Sequence, residues 1–150
     1  MINEIIEKFV PEIEKLGFEW QDFFNETPDD PVFVFYIHFR RKGCPAKECI
    51  NINLRSKGHP NFSCELHRVD ESDIWKCADV VRHQTDDYRA KEIGIHWWSL
   101  DRSLSRLSRD VDWLVSLVPQ ILAYIDHGEI GPNIRKWPEF TNAIHIDSNA

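Results

Sequence analysis

VFVFYIHF, residues 32–39, is made almost wholly of aromatic and β-branched residues, the types that suit a pleated, half-buried surface. Read as a strand, it places Phe33, Phe35, Ile37 and Phe39 on one face and Val34, Tyr36, His38 and Arg40 on the other. Two later stretches repeat the pattern. In CININLR (49–55) Ile50, Ile52 and Leu54 oppose Asn51, Asn53 and Arg55. In NFSCELH (61–67) Phe62, Cys64 and Leu66 oppose Ser63, Glu65 and His67. The intervening GCPAK and SKGHP carry the Gly and Pro of turns. Three such strands make an antiparallel meander with one apolar and one polar face, the pattern of a sheet fully covered on one side only.

The flanking segments supply the cover. Ile2, Ile5, Ile6, Phe9, Ile13 and Leu16 recur at helical spacing, predicting a helix over 2–16 that Pro11 kinks or splits and Gly17 ends. A short strand is expected at 18–24, a short helix from Asp73 to Val81, a loop in HQTDDYRAK and a further strand in IGIHWWSL (93–100). Ser108 can N-cap a long helix whose buried stripe is Val111, Leu114, Val115, Val118, Leu122 and Ile125, with a kink at Pro119 and an end at Gly128. Ile130, Ile134, Trp137 and Phe140 anchor the tail. The expected fold is α+β: a meander of four to five strands with an N-terminal helix and a long C-terminal helix packed on one face, as one domain over 1–150.

Composition bounds the function. Hydrophobic residues at 42% and charged ones at 29% fit a folded globular chain. No apolar run reaches the ~20 residues of a membrane span. MINEIIEKF carries acids early and lacks the basic start of a signal peptide, which places the chain in the cytoplasm and its four cysteines among free thiols. The net charge of −7 is uneven: nine acids face two bases over 1–31, and six bases face one acid over 32–60. An acidic chain is poorly suited to phosphate backbones, and Arg40, Arg41 and Lys42 read as a solvated strand end, so neither nucleic acid nor membrane is expected as a partner.

Candidate chemistry is sparse. Cys44 and Cys49 flank a turn, with His59, Cys64, His67 and Cys77 following, yet no second close pair completes a zinc signature. Alternation also sends Cys49 and Cys64 to opposite faces, so no metal and no cofactor is expected. The dinucleotide, P-loop, nucleophile-elbow and zincin motifs are absent. His83 with Asp86 and Asp87 has the residue types for acid–base work but reads more simply as solvated loop. Of Trp97 and Trp98, one should enter the core and the other lie on the second face or at the surface. The polar sheet face gathers His38, Asn51, Asn53, Arg55, Glu65 and His67. Asparagine at both 51 and 53 goes against strand propensity, and local rules tend to be broken at functional sites.

The order of elements resembles the bacterial domain-of-unknown-function family 4304, through Lys15-Leu16-Gly17-Phe18 after the first helix, INLRSKGHPNFSCELH, Arg89 ahead of Trp97-Trp98-Ser99-Leu100, and a final long helix. The resemblance implies an α+β fold in a bacterial cytosolic protein and carries over no functional residue. Three functional classes follow from the residues. The first is a non-catalytic binding protein, in particular an immunity protein neutralising a basic, nuclease-like toxin. Its partner-binding groups would be Asp70, Glu71, Asp73, Asp86, Asp87 and Tyr88, on loops attached to a rigid sheet. The second is a small-ligand protein or enzyme using the polar sheet face, and the third is a structural homodimer.

Overall fold

The computed structural model describes residues 2–24, 35–43, 49–55, 60–69, 74–96 and 98–138, with backbone alone at Phe23 and Phe24. Along it run α1 (Ile2–Lys8), α2 (Val10–Glu14), β1 (Phe18–Phe24), β2 (Phe35–Arg41), β3 (Cys49–Arg55), β4 (Asn61–Val69) and β5 (Trp75–Val80). A 3-10 turn (Tyr88–Lys91), β6 (Ile93–Gly94), α3 (Leu104–Ser116), α4 (Val118–His127) and β7 (Ile134–Lys136) follow. Among the described residues the strands form one antiparallel sheet in the order β1-β2-β3-β4-β5-β7. β6 pairs with the start of β4, on the side that β5 occupies farther along. The fold is α+β.

Register carries the alternation across the sheet. Phe39, Ile50, Leu66 and Ala78 fall in one row, and Ile37, Ile52 and Cys64 in the next. All seven are buried, and the helices close over them with Ile5, Phe9, Ile13, Val111, Leu114, Ile121 and Ile125. Phe9 meets Phe39 edge-on, with ring centroids 5.7 Å apart. Lys8 ties the two helical layers together, bonding Ser108 Oγ at 2.7 Å and Asp112 at 2.8 Å.

Both helical segments divide where proline forbids continuity. Pro11 has no N–H to return, and the first helix breaks at Phe9. Pro119 follows the break at Leu117, and Gly128, at φ +71, ends α4 as expected. Other expectations are corrected. Residues 75–80 are strand, not helix: they pair with β4 on one side and β7 on the other, and this tertiary pairing decides a stretch whose local signal is weak. The expected strand over 93–100 shrinks to Ile93–Gly94, since His96 and Ser99 close a turn instead. The cap of the C-terminal helix is Ser103, whose hydroxyl accepts from Arg106 N at 3.3 Å. Ser108 lies inside α3, where it serves Lys8.

Candidate functional site

The sheet's second face departs from a plain wetted surface. Cross-strand register lines up Gln21, His38, Asn51, Glu65, Asp79 and Arg135 in one row. A parallel row holds Arg40, Cys49, His67 and Cys77. Tyr36, Asn53 and Ser63 form a third, and Arg55 pairs across from Asn61 beyond it. Among the described residues no helix packs on this side, yet Cys49, Asn53, Asn61, Ser63, Cys77 and Asp79 are buried.

Burial of polar groups demands partners, and most are present. His38 Nδ1 donates to Asn51 Oδ1, while Nε2 accepts from Arg40 Nε at 3.0 Å. Those partners define a neutral imidazole, in keeping with the downward pull of burial on its pKa. Asn53 Nδ2 reaches Ser63 Oγ at 3.4 Å. His67 Nδ1 lies 3.2 Å from Cys77 Sγ, and its ring is crossed edge-on by Trp75 and Trp137 at 6.2 and 5.9 Å. Burial pushes the Cys49 and Cys77 thiols up to about 12, so they act here as small buried groups rather than nucleophiles. Cys64 sits on the opposite, core face, as alternation required. Among the described residues no three His, Cys, Asp or Glu side chains converge as a metal set.

Glu65 and Asp79 stand directly opposite each other on β4 and β5, so their Cβ atoms are about 5 Å apart. Their environments differ. Burial would raise the Glu65 carboxyl, but His67 at 3.8 Å and Lys91 at 3.5 Å together hold it below its ordinary value. For Asp79 burial wins and, with the Glu65 carboxylate opposite, raises the carboxyl, despite the help of Lys91, of Trp137 and of Arg135, whose Nη2 is 3.3 Å from Oδ2. Asp79 is 4% exposed. Among the described residues no donor reaches its Oδ1 with hydrogen-bonding geometry, although the Trp137 indole lies close enough to ease the charge.

That carboxylate lines a cleft of about 410 Å³, together with Asp86, Tyr88, Lys91, Arg135 and Trp137. The loop beside it is held by Arg135, whose Nη1 donates to the carbonyls of Thr85 and Asp87 at 2.9 and 2.6 Å. Asp87 caps the 3-10 turn by accepting from Arg89 N at 3.0 Å and also pairs with the Arg89 guanidinium at 2.9 Å. Of the loop candidates, Asp86 and Tyr88 line a cleft whose sheet-side lining includes Asp79 and Arg135, at the end of the polar row. Of the six groups expected on the polar face none lines the cleft: Glu65 and His67 contact its lining residues Lys91 and Trp137, while His38, Asn51, Asn53 and Arg55 lie on β2 and β3. Asp87 is removed from the free binding carboxylates by its arginine. Asp70, Glu71, Asp73, Cys44, His59 and Trp97 lie outside the described residues.

Sequence reasoning missed Asp79, Lys91, Arg135 and Trp137. The helix expected over 73–81 concealed the alternation of Trp75, Cys77 and Asp79 against Lys76, Ala78 and Val80, which was the available signal. Nothing local marks β7 as a strand. No family model, curated protein or solved structure matches the chain. No described helix is long and apolar enough to cross a membrane.

Proposed function

We propose that this chain is a small-ligand-binding protein whose site is the cleft between the polar sheet face and the loop over residues 85–91. The observation that carries the proposal is Asp79, a buried carboxylate on the lining of an open cleft, whose Oδ1 has no hydrogen bond of good geometry among the described residues. Such an atom costs about 1–3 kcal/mol when left unmade, and a ligand's N–H or O–H is the natural partner. The aromatic walls and the few convergent polar groups match the general build of ligand pockets, as does the volume. Two opposed carboxyls shifted in opposite directions are also what acid–base chemistry requires, so any ligand found should be followed for conversion as well as retention. Fragment screening by ¹⁵N-detected NMR tests the proposal. Hits should perturb the Trp137 indole and the Lys91 amide and lose affinity in Asp79→Asn. A screen whose hits all map elsewhere would refute it.

A separate observation favours a protein partner. Tyr88 is 73% and Leu104 80% exposed, with Trp98 and Leu100 also exposed in the same stretch of chain, and exposed aromatic residues are the type that protein interfaces favour. On this reading the partner is a basic toxin, neutralised without turnover, and Asp86 supplies the steering charge. Binding kinetics against a basic toxin encoded beside this gene provide the test. Asp86→Lys should slow association and flatten its salt dependence, and Tyr88→Ala should speed dissociation. If both substitutions are silent while His38→Ala and His67→Ala abolish binding, the surface reading fails.

A further inference from the structure

We infer that the ligand of the cleft is a neutral ring compound presenting vicinal hydroxyls, whether a free sugar or the ribose of a nucleoside. The inference rests on the cleft being a ligand site and adds its chemistry. Three features of the lining select the class.

The first is an acceptor and a donor side by side. The Asp79 carboxylate lines the cleft, and its Oδ1 has no donor of good hydrogen-bonding geometry among the described residues, with only the Trp137 indole near enough to ease its charge. Lys91 Nζ, on the same cleft, stands 3.5 Å from Glu65 Oε1, which is longer than a good N–H···O bond, so its three protons are under-used. A hydroxyl both donates and accepts. One hydroxyl can donate to the Asp79 carboxylate while the oxygen of its neighbour accepts from Lys91.

The second feature is charge. Asp79 is already answered by Arg135 and Glu65 by Lys91. A ligand with net charge would leave one charge of these pairs uncompensated in a largely buried setting, where that is costly. A zwitterion also offers a donor and an acceptor, but it must shed the hydration of two full charges to enter. A neutral diol makes the same two contacts and keeps the balance.

The third is the wall. Tyr88, Trp137 and Pro138 line the cleft and give it aromatic and apolar surface against which the C–H face of a saturated ring can lie. The volume of about 410 Å³ falls at the small end of the ~300–1,000 Å³ usual for ligand pockets, which suits one or two rings.

The test is isothermal titration of the full chain with D-glucose, D-galactose, D-mannose, D-ribose and uridine, with 2-deoxyglucose, 2′-deoxyuridine and phenylalanine as controls. At least one diol should bind with Kd below about 10 mM, and removing one of its paired hydroxyls should weaken binding about tenfold or more. Asp79→Asn and Lys91→Met should each cause a similar loss, with circular dichroism unchanged. Response to the hexoses or to uridine identifies the source of the diol. If phenylalanine binds in an Asp79-dependent way and every diol fails, the ligand class is wrong while the cleft remains a site. If fragments bind the cleft but neither diols nor phenylalanine do, the inference fails in the same way. If nothing binds the cleft at all, the site itself is refuted. Diol binding indifferent to both substitutions would place the ligand elsewhere and also overturn the inference.

Discussion

Replacing Asp79 with asparagine should stabilise this protein at neutral pH while removing the proposed ligand contact. The amide keeps the shape of the side chain and can still present an oxygen to Arg135 Nη2, now 3.3 Å from Oδ2, while Arg135 Nη1 retains the carbonyls of Thr85 and Asp87. What disappears is a buried negative charge whose second oxygen has no donor among the described residues. Relieving the burial of that charge gains about 1–3 kcal/mol, while the amide N–H that takes the place of Oδ1 still lacks an acceptor and the Arg135 contact weakens from charged to neutral, which together give back roughly 1 kcal/mol. The net gain is then about 1 kcal/mol, or roughly 2–4 °C in Tm for a domain of this size. The sign follows from the raised carboxyl. Burial lifts the folded pKa of Asp79 above the ordinary 3.8, so its charged form opposes folding, and that penalty is fully present above the folded pKa. As pH falls, the advantage of the variant should shrink through the raised folded value and vanish below 3.8. Urea unfolding at pH 7, 5 and 4 measures this directly. Glu65→Gln supplies the counter-case, because Glu65 is held below its ordinary value and contributes stability above pH 4.5 that is lost as pH falls through its folded pKa; it should destabilise at pH 7. An Asp79→Asn protein that melts below wild type at pH 7, or whose advantage is the same at pH 4, would refute the reasoning.

Two other regions make separate predictions. Gly94 takes φ +122, and a Cβ there would lie 2.9 Å from both Asn61 Cα and Pro60 O; Gly94→Ala should cost about 3 kcal/mol, lowering Tm by roughly 6–12 °C in thermal denaturation. Cys49, Cys64 and Cys77 are buried, with Cys49 and Cys77 raised to about 12; iodoacetamide at pH 8 followed by peptide mapping should leave all three unmodified in native protein and label them in urea.

What was legible in the sequence was whatever rested on strict alternation. The faces of β2, β3 and β4 came from residues such as Ile50, Ile52 and Leu54, whose burial leaves one register open. Proline and glycine likewise declared their effects at Pro11, Pro119 and Gly128, because their backbone restrictions hold in any context. β5 and β7 were hidden for the opposite reason. Ala78 and Lys136 have no strong local preference, and what fixes them as strand is each other across the sheet. The same blindness hid the site, since Asp79 and Arg135 are 56 residues apart and meet only through that pairing. Ser108 shows a subtler error: a serine before two aspartates has the look of a cap, but Asp110 is buried against Arg82 and the helix begins at Leu104.

A polar sheet face can be buried only if each group on it finds a partner, since a half-satisfied network is worse than an apolar one. Here the partners run row by row: His38 with Asn51, Asn53 with Ser63, His67 with Cys77, Glu65 with Lys91, Asp79 with Arg135. That regularity explains how the face tolerates burial without a described helix over it. It also gives meaning to the break in the pattern. A packing defect can fall anywhere, but the Asp79 carboxylate lies on the lining of the cleft, beside Lys91 and near the rings of Tyr88 and Trp137. On the proposed reading, a buried group that destabilises the fold on the lining of a cleft is what a site selected for binding rather than for stability would contain. The asparagines at 51 and 53, which local propensity disfavours, belong to the same design: they bind the neutral His38 and Ser63 and so let the rows approach the cleft without adding charge to it.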